Sequence, residues 1–353
     1  MLMNSKERVL ATLQGKTVDR PACFSGMGNV TTAGLDKLGY KFAKVHGDAK
    51  MLAETSATSY KLFGFESAVV PYDLCVEAEA IGCIMNPYEE VENLLYPTIK
   101  EKVCHSESEM TTFPIPEDVA SRGRVPVVCE AIKMLQADVG SEIAVGTYVL
   151  GPFTLAGQLM DLNDLLKLSF KKPDLVNETL NRLADVIIKV AKAYHDAGVD
   201  YITVREMGAP TDVLSPKVFK NVVAPHLKKI FDYLASINCL SALHICGRTN
   251  TIMTILAGTG APAISVEQGN DLLKSREDIG WDTLLFGNVD AYNVLVTGSP
   301  ADVEAAVIKS LEGSVDAVLP SCDIWPTAPL ENMKAMVEAV KKFGPEKYGR
   351  KNK

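Results

Sequence analysis

A chain of 353 residues, 47% hydrophobic and 23% charged, is long and apolar enough to bury a full core without disulfide staples. Its 44 acidic residues outnumber 36 basic ones, for a formal charge of −8, and the basic residues are spread thinly except in the terminal run KYGRKNK, read as a solvated end. That balance argues against a nucleic-acid-binding surface, which needs a basic stripe, and the chain shows neither an apolar leader nor an eighteen-residue apolar run that would export it or anchor it in a membrane.

In chain order the first element is a helix over the N-terminal segment 1–20: Ser5 is placed to cap it, KERVLATLQG carries apolar residues at helical spacing, and Gly15 ends it. VDRPACF supplies a short strand near 21–24, and residues 45–63 a helix closed by Gly64. Short apolar runs then alternate with longer helical ones. Strands are predicted at 66–73, 142–149, 199–204, 239–245, 262–267, 283–289 and 316–321. Helices are predicted at 164–170, 173–198, 216–237, 250–259 and 300–313. Such alternation implies a parallel sheet, and eight units imply its closure into an α/β fold, the (β/α)8 TIM barrel. The stretch 74–141 breaks the rhythm and reads as an insertion over the barrel mouth. With no linker, low-complexity tract or internal repeat, residues 1–353 are expected to form a single TIM-barrel domain. The eight cysteines, in a chain without an export signal, are expected to be reduced and the protein cytoplasmic.

A barrel of this kind carries its chemistry where strands end and loops begin. Polar residues recur there: Asp73, Arg205 with Glu206, His244 with Cys246, Glu267, Asn288, and Cys322. His244 and Cys246 are two apart, so in an extended segment both point the same way. Cys322 and Glu267 come from later strand ends that a closed barrel brings over one axis. One nitrogen and two sulfur donors suit zinc, and a fourth position held by carboxylate, water or substrate marks a catalytic site. The alternative is a chance H-x-C pair in a cysteine-rich chain. Asp73 is either a loop cap or a substrate contact. Arg205 either binds an anionic group or pairs with Glu206. Glu77 and Glu79, in the same stretch, are each either a substrate contact or a solvated charge; His46 and His105 read as surface residues, and His195 and His226 as structural. Trp325 and Pro326 are expected to wall the pocket. No P-loop, G-x-G-x-x-G or G-x-S-x-G pattern is present, which leaves nucleotide binding and serine hydrolysis without support.

The segments VPYDLCVEAEAIGC, LHICGRTN and LPSCDIWPTAPLENMKAMV resemble the uroporphyrinogen decarboxylase superfamily, and within it the methylcobamide:coenzyme M methyltransferase branch. The similarity runs from RVLATLQGKTVDRP to the last of these. The resemblance implies a zinc-dependent methyltransferase working with a separate corrinoid protein that carries methylcobamide (cobalamin). It implies His244, Cys246 and Cys322 as zinc ligands, with Glu267 as a carboxylate ligand that gives way when substrate binds. Asp73 is carried alongside Glu267 as a catalytic candidate, and Asn288, Arg205 and Glu206 as candidates for cofactor contact. The implied substrate is a thiol such as coenzyme M. The alternatives are another methyl donor or acceptor, including O-demethylation, and a porphyrinogen decarboxylase. The chain departs from the decarboxylases in PACFSGMGNV, which has no arginine to hold substrate carboxylates, and from the coenzyme M enzymes in the Arg205–Glu206 pair.

Overall fold

The eight apolar runs fold as eight parallel strands: β1 (Ala22–Cys23), β2 (Ser67–Val70), β3 (Ala144–Leu150), β4 (Tyr201–Arg205), β5 (Leu240–Ile245), β6 (Ala263–Val266), β7 (Leu284–Phe286) and β8 (Ala317–Val318). The computed structural model describes residues 3–347; of the terminal run KYGRKNK, all but Lys347 lies outside the described residues. The strands lie side by side in the order β1-β8-β7-β6-β5-β4-β3-β2, so β2 to β8 pair in parallel in chain order, β1 pairs with β8, and the sheet curls into the expected TIM barrel. All strands are buried on both faces, the pattern of a sheet enclosed by helices.

The end strands β1 and β2 meet along a seam that depends on one side chain. Glu66 N–H donates to Cys23 C=O (3.0 Å), and the Glu66 carboxylate accepts the Cys23 N–H (2.7 Å). That carboxylate is fully buried and also takes the guanidinium groups of Arg8 and Arg20. Ser25 N–H adds a bond to Ser67 Oγ (3.0 Å), and Asn29 N–H one to Val69 C=O (3.2 Å).

The barrel interior has its own core. Small residues (Ala22, Ala144, Ala242, Ala263, Ala317) alternate with large ones (Phe24, Tyr148, Tyr201, Phe286), while Val9 and Leu13 of the first helix plug one end. Gly146 is required here: a Cβ at that position would lie 2.3 Å from the Tyr201 ring. A second, larger apolar cluster fills the space between the sheet and its helices.

The first helix, Ser5–Leu13, is capped by Asn4 rather than Ser5, because Asn4 and Glu7 form a reciprocal capping box. The predicted helix 216–237 runs continuously but widens to π geometry at Phe219–Val223, just before Pro225, which has no N–H to donate. The stretch 74–141 divides. Its first part carries the helix Val76–Ile81 and an antiparallel hairpin, Ile84–Asn86 with Thr98–Glu101. Its last part, Val125–Asp138, is a helix of the outer ring that packs on β2 and β3. Helices Leu272–Ile279 and Leu330–Lys347 complete the ring. Among the described residues no helix is long and apolar enough to cross a membrane.

Removing a buried acid that two guanidinium groups share leaves those charges short of an acceptor. Glu66→Ala is expected to lower unfolding free energy by roughly 3–5 kcal/mol in urea titrations. A loss below about 1 kcal/mol would show that the seam does not depend on it.

Candidate metal centre

Register decides which side chains meet. Across the sheet Arg205 (β4), His244 (β5) and Ser265 (β6) are aligned partners in one row. His244 is wholly buried, and its Nδ1 lies 3.1 Å from Ser265 Oγ, which leaves Nε2 facing the barrel mouth. Cys246, two residues on and past the strand end, places its Sγ 3.2 Å from that nitrogen. Cys322, in the loop after β8, brings its Sγ to 3.5 Å from Cys246 Sγ. The donor atoms of His244, Cys246 and Cys322 all lie within 4.8 Å of one another. A tetrahedral zinc with Zn–S near 2.3 Å and Zn–N near 2.0 Å needs donors about 3.5–3.8 Å apart, and the 3.2 and 3.5 Å separations lie within a few tenths of an ångström of that range. All eight cysteines are free thiols.

The two thiols titrate as a pair. The hydrogen bond from Cys246 pulls Cys322 well below the usual thiol range, with further help from His244. Cys246, as the donor, is pushed up by the same bond and by burial. The shared hydrogen bond thus shifts the two thiols in opposite directions, and a metal, which binds thiolates, would displace the proton between them.

Arg205 pairs with Asp323 and not with Glu206. Its guanidinium has no exposed surface, binds both carboxylate oxygens of Asp323 and stacks 4.5 Å from the Tyr148 ring centre. Burial opposes the charge on Arg205, and Asp323 more than offsets that opposition. Because Asp323 follows Cys322, the pair ties the loop after β8 to the row that holds His244.

Glu206 caps a helix instead of facing the mouth. Its buried carboxylate accepts Phe153 N–H (3.0 Å) and Thr154 N–H (2.8 Å) at the start of helix Pro152–Leu159. Gly151 makes the approach possible, since a Cβ there would lie 2.4 Å from Glu206 Oε2. Burial nevertheless pushes the Glu206 carboxyl up to about 7.

Glu267 does not join the three donors. Its Oε2 accepts the Gly247 N–H and its Oε1 takes Gln268 Nε2 (3.1 Å), so the carboxylate holds the turn that follows Cys246. Asn288 Nδ2 donates to the carbonyls of Glu267 (3.1 Å) and Asn270 (3.3 Å), binding two loops together. Asp73 is buried against Arg124, whose Nη atoms reach it at 2.6 and 2.9 Å, and His46 Nδ1 lies 3.3 Å away. Burial opposes the Asp73 charge, but Arg124 and then His46 outweigh it and hold the carboxyl below its usual range.

Several expectations change with these contacts. His46 is buried rather than on the surface, and Glu79 pairs with Arg124 (2.7 Å). Glu77 is buried too: its Oε1 accepts Leu150 N–H (2.9 Å), and burial pushes its carboxyl up to about 7. Ser265 and Asp323 were not singled out in the sequence. Ser265 sits two residues before Glu267 on the same strand face, and Asp323 directly follows a candidate ligand, which are the signals that could have found them.

Beside Cys322 opens a cavity of about 370 Å³, walled by Tyr72, Leu74, Tyr96, Ile99, Ile324 and Trp325. The hairpin supplies Ile99 to this wall. A larger cleft of about 730 Å³, between the hairpin and helix Leu162–Lys171, includes none of the site residues.

Residues 4–343 match the uroporphyrinogen decarboxylase family. A methylcobamide:CoM methyltransferase, MtaA of Methanosarcina barkeri, is 33% identical over 340 residues, 95% of this chain and 96% of that protein. Another, MtbA of Methanosarcina mazei, is 30% identical over 341 residues, 96% of this chain and 98% of that one. A solved methyltransferase from Methanosarcina mazei superposes with a TM-score of 0.90 at 32% identity, covering 97% of this chain and 99% of that chain.

Two outcomes follow from these contacts. Protein isolated under anaerobic, reducing conditions should carry about one equivalent of zinc, and His244→Ala, Cys246→Ala and Cys322→Ala should each lose it. Glu267→Gln should retain it. Unchanged metal content in all three alanine variants would refute the ligand set. Second, a carboxyl with a raised folded value binds its proton more tightly in the folded state. Its contribution is therefore complete below the unfolded value of 4.5 and is lost as pH rises through about 7. Glu77→Gln, which keeps the acceptor for Leu150 N–H, should remove about 3 kcal/mol of the stability lost between pH 4.5 and 7. Parallel stability–pH curves for the two proteins would contradict this.

Proposed function

The chain belongs to the uroporphyrinogen decarboxylase family, and within that family we propose that it is a zinc-dependent methyltransferase. It moves a methyl group between the methylcobamide of a corrinoid protein and a thiol bound at His244, Cys246 and Cys322. The observation that carries this reading is the cluster of three soft donors at the barrel mouth, beside a cavity that admits a small molecule. A structural zinc site is normally closed by four protein ligands, whereas three leave a position for substrate. The two methylcobamide:CoM methyltransferases at 33% and 30% identity support the methyl-transfer chemistry. Decarboxylation of a porphyrinogen has less support. Arg20, the arginine nearest the segment PACFSGMGNV, is buried and held by Glu66, out of reach of a polycarboxylate.

Zinc at this site would supply the positive charge that keeps a substrate thiol as its nucleophilic thiolate at neutral pH. The chain's own residues set the stage for it. Ser265 fixes the His244 ring, a contact of the kind that orients metal ligands. Glu267 holds the backbone beyond Cys246, and the Arg205–Asp323 pair holds Cys322. Tyr96, Ile99 and Trp325 shield the reacting sulfur from water. At the rim Tyr292 and Trp325 stack edge to face at 5.1 Å, both half-exposed, and offer an apolar face to an incoming corrinoid protein. In this reading Asp73, Glu206 and Asn288 position the loops and do not touch the methyl group.

The assay is anaerobic demethylation of methylcobalamin, followed by its absorbance, with a panel of thiols. Chelator-treated protein should lose at least about a hundredfold in rate, and zinc should restore it. Full activity after zinc removal, or no methyl loss with any thiol, would contradict the reading.

A further inference from the structure

The charges around the cavity beside Cys322 bear on which thiol enters it, an inference that rests on the methyl-transfer reading above. The walls are apolar or aromatic: Leu74, Tyr96, Ile99, Ile324 and Trp325, with Gln158 as an uncharged polar contact. Among the described residues, those that line it include no lysine, arginine or histidine. Its charged members are two acids, Asp73 and Asp323, and each is already matched by one arginine, Arg124 and Arg205. Arg205 has no exposed surface: both Nη atoms lie on Asp323 and its face on Tyr148, and the Nε that has no hydrogen-bond partner is itself buried. An anionic tail on the substrate would therefore enter a small, largely apolar space that holds two carboxylates and adjoins two ligand sulfurs. It would find no cation to meet it, and an unpaired charge in such surroundings is strongly disfavoured.

We propose that this cavity selects an uncharged, apolar-tailed thiol as methyl acceptor and rejects a thiol whose tail carries a permanent negative charge, such as mercaptoethanesulfonate (coenzyme M). The product is then a neutral methyl thioether. The step balances as written: the thiol proton leaves to solvent, the sulfur–carbon bond forms as the carbon–cobalt bond breaks, and the bonding pair stays on cobalt. In the reverse direction the same cavity accepts the neutral thioether as methyl donor. Asp323 is the specificity-determining residue, because it lines the cavity and neutralises the arginine behind it, Arg205.

The test compares mercaptoethanesulfonate with the thiol of equal chain length that ends in a tert-butyl group, similar in shape but uncharged. Zinc-loaded protein should show a kcat/KM for the neutral thiol at least about tenfold higher, with methylcobalamin as donor. Calorimetric binding of the two corresponding methyl thioethers, which needs no turnover, should show a preference of the same order. Asp323→Asn, by releasing Arg205, should move both ratios toward the sulfonate by at least about tenfold. Ile99→Lys should do the same from the opposite wall without touching the loop of Cys322, and serves if the first variant does not fold. Equal or better use and binding of the sulfonate by the unaltered protein, or binding of neither thioether, overturns the proposal. If neither thiol is methylated but the neutral thioether still binds preferentially, the methyl-transfer reading fails while the charge preference stands.

Discussion

The site depends on one ion pair, between the buried Arg205 guanidinium and the half-buried Asp323 carboxylate. Arg205 ends β4 in the same row as His244, and it has no contact with water. A guanidinium in that position requires a carboxylate, because an unpaired buried charge is far more costly than a paired one. Asp323 supplies it from the loop after β8, on the far side of β5, β6 and β7 in the sheet order. The pairing brings Cys322 across the mouth to Cys246 and His244. A cluster of three donors drawn from two strands is thus a consequence of electrostatics one residue away. The Tyr148 ring beneath the guanidinium completes the arrangement and links it to the barrel interior.

Around this pair the other acidic side chains hold backbone and loops rather than substrate. Glu206 caps the helix that starts at Pro152, Glu267 fixes the turn after Cys246, and Glu77 receives Leu150 N–H at the end of β3. Asp73 and Arg124 pin the first turn of the excursion to the helix at its end. Each is a charge-assisted bond to a strand end or loop, and such bonds are stronger than neutral ones. Within this scaffold the two thiols and the imidazole contact one another at the mouth. Positioning by surrounding charges is what a metal centre with an open position needs.

Much of this was legible in the sequence. The eight strands fall where the apolar runs predicted them, because a strand buried on both faces reads as a short continuous run that few alternatives can mimic. The H-x-C spacing and the later cysteine could be placed at strand ends by the same reasoning, and the structure brings those three together. The partners of the charged residues were not legible. Arg205 next to Glu206 suggests a local pair, but neighbouring residues on a strand point to opposite faces, so Arg205 turns inward and Glu206 turns to the helix. His46 and Arg124 lie far from Asp73 in sequence, and nothing local announces that they converge. The helix Val125–Asp138 was absorbed into the insertion because the irregular segment before it hides where the barrel resumes.

The account turns on a metal centre that takes the substrate sulfur as a ligand. Zinc K-edge X-ray absorption of the loaded protein, before and after addition of a thiol that it methylates, tests this directly. The resting spectrum should fit two sulfurs near 2.3 Å and lighter nitrogen or oxygen scatterers near 2.0 Å, and thiol should add a third sulfur at the expense of a light atom. A shell that does not change with thiol, or one without sulfur, would contradict it.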